Sequence, residues 1–182
     1  TFASSIKVNK LAFKVAGTEI TLVNGKITSR WRQLLTNQIA IDELELDGLR
    51  VILSDVPGGA TKANSGARNP LLLLRNLKLS NVLVEKNGVL LTQIDSASAS
   101  TLSLRGERFE FDDLRIDEQR ATLIASGALD FSGKTQSALK FAINHRAPAI
   151  KASGSLSGTP KKLTFNAALD APNVMTVSGE LI

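Results

Sequence analysis

The chain has 182 residues, of which 43% are hydrophobic and 4% aromatic, so it can bury a substantial core and is not disordered as a whole. It contains no cysteine, which excludes thiol enzymes, disulfide scaffolds and zinc sites built on cysteine. The net charge of +5 is not gathered into a dense Lys/Arg cluster, and residues that could stack on bases are scarce, so we expect no nucleic-acid partner.

No stretch approaches the ~18 apolar residues of a membrane-spanning helix, and nothing resembles a signal peptide. The chain begins at Thr1 and ends within a predicted strand at Ile182. We therefore expect a fragment of a longer protein. Because related phrases recur along it, residues 1–182 are predicted to form a single continuous unit.

The first third of the chain predicts strands, one helical turn and a loop. Apolar and polar residues alternate over 18–23 and 39–46, which is typical of β-strands. Trp31, Leu34 and Leu35 are spaced at i, i+3 and i+4 after a capping Ser29, and predict one short helical turn near Trp31. Residues 54–70 are rich in Gly, Ala, Asn and Pro and lack periodicity, so we expect a flexible loop within one sheet.

A strand–turn–strand phrase recurs through the middle of the chain. It spans residues 41–51, returns at 77–84, and returns more loosely at 114–123. In each copy an apolar-x-apolar strand end is followed by polar residues and then by a second alternating run. The pattern predicts a polar turn between two strands in each copy.

The last third alternates regularly and predicts an antiparallel meander with strands of ~8–10 residues. A phrase of a small residue, Ser, Gly, any residue and Leu occurs three times, around Gly127, Gly154 and Gly179. Repetition at near-equal intervals is typical of arrays of like units. Glycine at these apolar-register positions predicts either a bulge that curls the sheet or space for a ligand.

No catalytic constellation is visible. The only histidine, His145, continues the apolar register of a predicted strand, where it is more often a packed residue than a base. The pairs Asp112-Asp113 and Asp42-Glu43 are adjacent on strands and point to opposite faces. The serines of the repeated phrase have no base at a fixed spacing. We therefore predict that the protein is not an enzyme, with no catalytic residues, no metal and no cofactor.

A sheet with one aliphatic face cannot leave that face in water. It could pack on another sheet as a dry sandwich, fold over itself as a trough for apolar ligands, or close into a barrel. At ~0.8 kcal/mol per buried methylene, a sixteen-carbon acyl chain would gain roughly 10 kcal/mol in such a trough. The residues predicted to line it are Leu123, Leu129, Phe131, Leu139, Phe141, Ile143, Leu156, Leu163, Phe165, Leu169, Val177 and Leu181.

The order of these features resembles the TamB family of the AsmA-like superfamily. The resemblance rests on the order of seven features: the strand at 18–23, the Trp31-to-Leu35 turn, the strand at 39–46, the Asp47-to-Val51 return, the Gly/Pro loop, the strand pair over 77–84 and the Ala-Ser-Gly-x-Leu repeats. It covers most of the chain and matches the membrane-proximal, N-terminal part of that family best.

The resemblance implies an all-β, elongated and curled antiparallel sheet that forms a hydrophobic groove, or β-taco. It implies a protein in the periplasm of a Gram-negative bacterium, anchored in the inner membrane by a segment outside this chain. The implied function is phospholipid transport between the membranes, with acyl chains as ligands, in support of outer-membrane biogenesis. A TamA-like outer-membrane protein would be a partner through parts outside this chain. The alternative is a structural or interaction β-sandwich module of an outer-membrane assembly or protein-translocation machine.

Overall fold

The protein is one large, curled and unclosed β-sheet of 14 strands. The computed structural model describes residues 4–15, 18–29, 38–53, 71–170 and 174–181, and these contain no helix. The predicted all-β class and curled sheet are confirmed. The predicted helical turn near Trp31 and the predicted loop over 54–70 lie outside the described residues.

The strands lengthen towards the middle of the sheet and then become regular. Their bounds are β1 Ser4–Val8, β2 Leu11–Val15, β3 Thr18–Leu22, β4 Asn24–Ser29, β5 Gln38–Asp47, β6 Arg50–Leu53, β7 Leu71–Lys86, β8 Val89–Arg105, β9 Arg108–Asp117, β10 Ala121–Asp130, β11 Ser137–Arg146, β12 Ala149–Thr159, β13 Lys162–Leu169 and β14 Met175–Leu181.

The main path of the sheet crosses eleven strands in the order β1-β4-β5-β7-β8-β9-β10-β11-β12-β13-β14. A branch of β2, β3 and β6 joins the C-terminal end of β7, where β6 pairs with it. The pairing is antiparallel as predicted, except that β5 and β6 both run parallel to β7. Both strands share one direction because Gly48 and Leu49 interrupt the chain between β5 and β6 without reversing it.

The repeated strand–turn–strand phrase has three different outcomes. At 114–123 the chain reverses between β9 and β10, where the backbones of Glu118 and Ala121 exchange hydrogen bonds of 2.8 and 3.2 Å. At 41–51 it bends without reversing. At 77–84 the predicted turn is wrong, because β7 runs unbroken through it. Asn81 there takes a left-handed φ of 54°, which kinks the strand and does not end it.

Two lines of such irregularities cross the sheet. The first break line joins Asp42, Asn76, Ser100, Asp113 and Ser126 on five successive strands of the main path. Asn76 and Asp113 have φ of 52° and 51°. Hydrogen bonds connect the residues of this line. The Asn76 amide donates to the Asp42 carbonyl at 3.2 Å. The Ser100 hydroxyl donates to the Asp113 carboxylate at 3.2 Å, and the Asp113 N–H donates to the Ser126 hydroxyl at 3.0 Å.

The second break line passes through Asn24, Asp47, Gly48, Ser80 and Asn81. The Asp47 carboxylate is its centre, because it accepts hydrogen bonds of 2.7 Å from both the Ser80 hydroxyl and the Asn81 amide. These bonds lower the pKa of Asp47. Gly48 has φ of 69°, and a Cβ there would lie 2.7 Å from the Val23 side chain, so only glycine fits.

Each break line shifts the apolar pattern of a strand by one residue. In β7 three pairs of apolar residues follow this pattern, Leu72 and Leu74, Leu77 and Leu79, and Val82 and Val84, while Leu71, Leu73 and Leu83 lie at other positions. The step of three between groups would turn the next group to the other face of an ideal strand. A kink at each break compensates, and Leu74 and Val82 are both buried, at 9% and 5% exposure.

The sheet buries little of its surface. Among the described strands, the close backbone contacts join hydrogen-bonded neighbours. The chain exposes 12420 Å² of surface, whereas a compact protein of its mass would expose about 8,500 Å². Much of the apolar surface is therefore only partly buried, and no large side chain among the described residues is fully buried.

Candidate functional site

Three apolar rows cross the sheet at right angles to its strands. Directly paired residues on neighbouring strands point to the same face, so the pairing register defines each row. The first row runs unbroken through all eleven strands of the main path: Val8, Gly25, Leu46, Leu79, Ala97, Ile116, Leu123, Ile143, Ala152, Leu169 and Met175. Since neighbouring strands lie ~4.8 Å apart, this row is roughly 48 Å long.

The second and third rows run beside it on the same face. The second comprises Ile6, Ile27, Leu44, Leu77, Ala99, Leu114, Ala125, Phe141, Gly154, Ala167 and Val177, and it crosses the first break line between Ala99 and Leu114. The third comprises Ile41, Leu74, Leu102, Phe111, Gly127, Leu139, Leu156, Phe165 and Gly179. The apolar face is defined by these three rows.

The structure brings most of the predicted lining residues together on this face. Leu123, Ile143 and Leu169 lie in the first row, Phe141 and Val177 in the second, and Leu139, Leu156 and Phe165 in the third. Leu129 pairs with Phe109 one step further along its strand, and Leu163 pairs with Leu181. Phe131 differs: it lies just beyond the end of β10 and is 67% exposed.

Sequence reasoning missed the half of the face that β1 to β9 supply. Its third-row members there are Ile41, Leu74, Leu102 and Phe111. The signal was present as alternating apolar residues, but the steps of three at the break lines disguised it as short strands and turns. Matching groups across neighbouring strands, instead of along one strand, would have recovered it.

The glycines of the repeated phrase do not leave gaps in the face. A Cβ on Gly154 would lie 2.6 Å from Cζ of Phe141, and a Cβ on Gly179 would lie 2.7 Å from Cε1 of Phe165. Each glycine is therefore covered by the ring of the phenylalanine directly opposite on the preceding strand. Gly127 instead sits at the register shift of β10 with φ of 150°, as expected for the bulge interpretation.

Exposure along the apolar face rises towards its ends. Phe111 and Ala125, near the middle, are buried. Ile143 is 39% exposed and Val177, on the edge strand β14, is 41% exposed. The face is thus lined by large aliphatic side chains that a ligand can reach.

The opposite face of the sheet carries a ladder of alternating charges. Lys26 forms a 2.7 Å ion pair with Glu43, and Lys78 forms a 3.1 Å pair with Glu45. The hydrogen bond between Lys26 and Glu43 raises the pKa of the amine and lowers that of the carboxylate. Ser126, Ser153 and Ser178 also lie on this face, in register with Lys140, Ala142 and Asn166. The opposite face is therefore more polar than the apolar face, although it also carries apolar residues such as Ile124 and Ala142.

Two carboxylates have their pKa lowered to about 2. Asp117 is bound by the Arg115 guanidinium at 2.7 and 2.9 Å and by the Thr122 hydroxyl at 2.7 Å. Asp130 accepts hydrogen bonds from the hydroxyls and backbone amides of Ser132 and Thr135. Asp130 thereby orders the connection from β10 to β11, where Ser137 accepts its backbone N–H at 2.9 Å. Both carboxylates are structural.

The remaining polar candidates are scattered. The Nδ1 of His145 lies 2.9 Å from the Pro148 carbonyl, at the end of β11. Among the described residues there is no group of three or more His, Asp or Glu placed to hold a metal ion. The described part of the chain also contains no helix long and apolar enough to cross a membrane.

Comparison of the chain with protein-family models, with curated proteins and with solved structures finds no match.

Proposed function

We propose that the apolar face binds the acyl chains of phospholipids and carries them along the sheet, and that the protein is not an enzyme. The observation that supports this best is the first apolar row, which crosses eleven strands without a charged or polar member. A row of this kind offers the same aliphatic environment at each step. An acyl chain could therefore move along it without losing a specific contact.

The energetics favour an apolar ligand over an empty face. Each buried methylene contributes ~0.8 kcal/mol, so a chain of about sixteen carbons would gain roughly 10 kcal/mol. Binding would also lower the free energy of the protein, because partly exposed apolar side chains such as Ile143 and Val177 would be removed from water. No polar contact to the headgroup is required for this binding, which suits a carrier of several phospholipids.

The resemblance to the TamB family supports a setting for this activity. We propose phospholipid transport between the inner and outer membranes, in the periplasm of a Gram-negative bacterium, by a longer protein anchored in the inner membrane. A TamA-like outer-membrane protein would act with it through parts outside this chain.

Photo-crosslinking tests the proposal directly. A photoreactive amino acid replaces Phe141, on the apolar face, and in a matched control replaces Lys140, its neighbour on the opposite face of the same strand. We expect lipid adducts at position 141 and none at 140, detected by mass spectrometry of the purified chain. If position 141 reacts only with protein, the face is a dry interface and the alternative function, a structural or interaction module, is favoured. Absence of any co-purifying phospholipid in native mass spectrometry would also count against transport.

A further inference from the structure

The turn between β7 and β8 lies at one end of the branch, where the Asn87 N–H donates to the Leu53 carbonyl of β6 at 3.2 Å. It consists of Asn87 and Gly88, with φ of 51° and 78°, the two left-handed residues of a tight hairpin. A Cβ placed on Gly88 would meet no other atom within 4 Å. Among the described residues, none therefore packs against the Gly88 side of the turn.

The first three residues of β8 after this turn are apolar and exposed. Val89, Leu90 and Leu91 are 64%, 53% and 56% exposed. Val89 pairs with Lys86 and Leu90 with Glu85, so the two side chains point to opposite faces. Leu91 lies in the register shift that follows. A packed protein layer could cover only one of these faces, whereas an apolar medium around the tip would cover both.

The charges near the tip lie in neighbouring pairs of opposite sign. We define the side lobe as β2, β3 and β6 with residues 82–94. Its cations are Lys14, Arg50 and Lys86, and its carboxylates are Glu19 and Glu85. Arg50 binds Glu85 at 2.9 and 2.8 Å, and Lys14 stands directly opposite Glu19. Glu19 and Glu85 thus each have a neighbouring cation. Asp95 directly follows the lobe, and the Glu118 carboxylate accepts a 2.9 Å hydrogen bond from the Thr92 hydroxyl, so the region carries no excess of positive charge.

We propose that the tip of the β7–β8 hairpin inserts into the interfacial region of a phospholipid bilayer. The backbone limits the depth, because among the described strands only β7 pairs with residues 89–95, and an open sheet edge is not tolerated in the hydrocarbon region. Insertion of ~5–10 Å leaves that edge among the headgroups. A partner strand is a poorer occupant, since the register shift at Leu91 disrupts the edge it would pair with.

This inference deepens the proposed function, on which its purpose rests, by naming where lipid leaves the bilayer. Val89 shares a face with Leu53, and in the side lobe Ile20, Val51 and Val84 form an apolar row one step away on that face. An acyl chain taken up at the tip would pass from the bilayer onto side chains of the same character.

Vesicle sedimentation of the full chain tests the insertion. The probes are phosphatidylcholine vesicles with and without phosphatidylglycerol. Leu90→Ser and Leu91→Ser should each weaken binding about tenfold. Each removes one leucine side chain, and a side chain that is only partly inserted contributes about half of the free energy of full burial. Ile124→Ser is the matched control: Ile124 is 44% exposed, lies away from the tip, and should bind unchanged. Equal loss in the control, or no loss at the tip, would overturn the proposal.

A fluorescent reporter gives a second readout that does not depend on a loss of binding. The chain has no cysteine, so Leu91→Cys can be labelled alone with an environment-sensitive dye. Vesicles should shift its emission to the blue, while the same dye at Lys140→Cys should not respond. A Leu91 signal that requires a second protein molecule and no vesicle would show self-association instead.

The two proposals can fail separately. Leu90→Ser should retain the lipid adduct at position 141 when lipid is supplied in detergent micelles, and lose it only when lipid is supplied in vesicles. If the protein binds vesicles but forms no lipid adduct at position 141, only the transport proposal is wrong. If Leu90→Ser still forms the lipid adduct at position 141 when lipid is supplied in vesicles, only the proposal of tip insertion is wrong.

Discussion

The two halves of the sheet build one apolar face in different ways. In the half from β1 to β9, several strands are kinked along two break lines, the first of which ends at Ser126 of β10. The left-handed residues Asn76, Asn81 and Asp113 lie on these lines. From β10 to β14, strands of 7 to 11 residues pair in uniform register, and phenylalanines cover glycines. A continuous face therefore does not require a uniform strand pattern. It requires that irregularities occur at the same height on neighbouring strands.

The largest expected effect comes from Gly127, the first glycine of the regular half, where β10 and β11 approach each other closely. A Cβ on Gly127 would lie 2.1 Å from the Ala138 carbonyl oxygen, at a φ of 150° that side chains rarely adopt. Gly127→Ala should therefore lower the free energy of unfolding by about 3 kcal/mol or more, measured by urea denaturation. Gly88→Ala is the matched control, with φ of 78° but no neighbour within 4 Å, and should cost only about 1 kcal/mol. Equal costs would mean that β10 and β11 are not so closely apposed.

The next effect tests the break lines of the kinked half. Asn81→Ala removes a side chain that tolerates the left-handed conformation, together with its 2.7 Å bond to Asp47. We expect a loss of about 1–2 kcal/mol in urea denaturation. Asn81→Gly restores the backbone freedom without the hydrogen bond and should recover part of the loss. If alanine is tolerated as well as asparagine, the kink does not depend on this residue.

Lowering the pH should destabilise the connection between β10 and β11, at the start of the regular half. Because the folded state holds the pKa of Asp130 at about 2, against an ordinary value of 3.8, its contribution to stability is complete above pH ~4. That contribution is lost as the pH falls from about 4 towards 2. Asp130→Asn should lower the melting temperature at pH 7 and flatten the dependence between pH 4 and pH 2, measured by circular dichroism. An unchanged slope in this variant would assign the acid sensitivity to other groups, first to Asp117, whose pKa is lowered in the same way.

The sequence predicts the regular half well and the kinked half poorly, for a physical reason. Period-two alternation placed Leu123, Phe141, Leu156 and Phe165 on one face, and the pairing register agrees. In β7 the same rule failed at Ser80 and Asn81, because a polar pair between apolar runs is typical both of a turn and of an in-strand kink. Only pairing partners far away in the sequence, here β5 and β8, decide between them.

The glycine interpretation shows a second limit. Small residues in an apolar register indicate that something approaches the backbone, but not what it is. At Gly154 and Gly179 the occupant is a phenylalanine ring from the neighbouring strand. The partner could be inferred only once the register paired Phe141 with Gly154 and Phe165 with Gly179. The candidate face was therefore predictable in residue type, while its detailed surface was not.

The smallest expected effect compares the two halves on their charged face. Lys78, in the kinked half, pairs with Glu45 at 3.1 Å, and Lys162, in the regular half, pairs with Glu180 at 3.1 Å. Both amines are largely exposed, at 63% and 61%, so solvent screens both pairs. Lys78→Ala and Lys162→Ala should each change the free energy of unfolding by less than about 0.5 kcal/mol, whichever half they lie in. A clearly larger loss for Lys78→Ala alone would mean that the charge ladder around Glu45 helps to hold the kinked half together, since the regular half has the same pair without the ladder. Equal and small losses would leave the break lines and the apolar face as the features that distinguish the two halves.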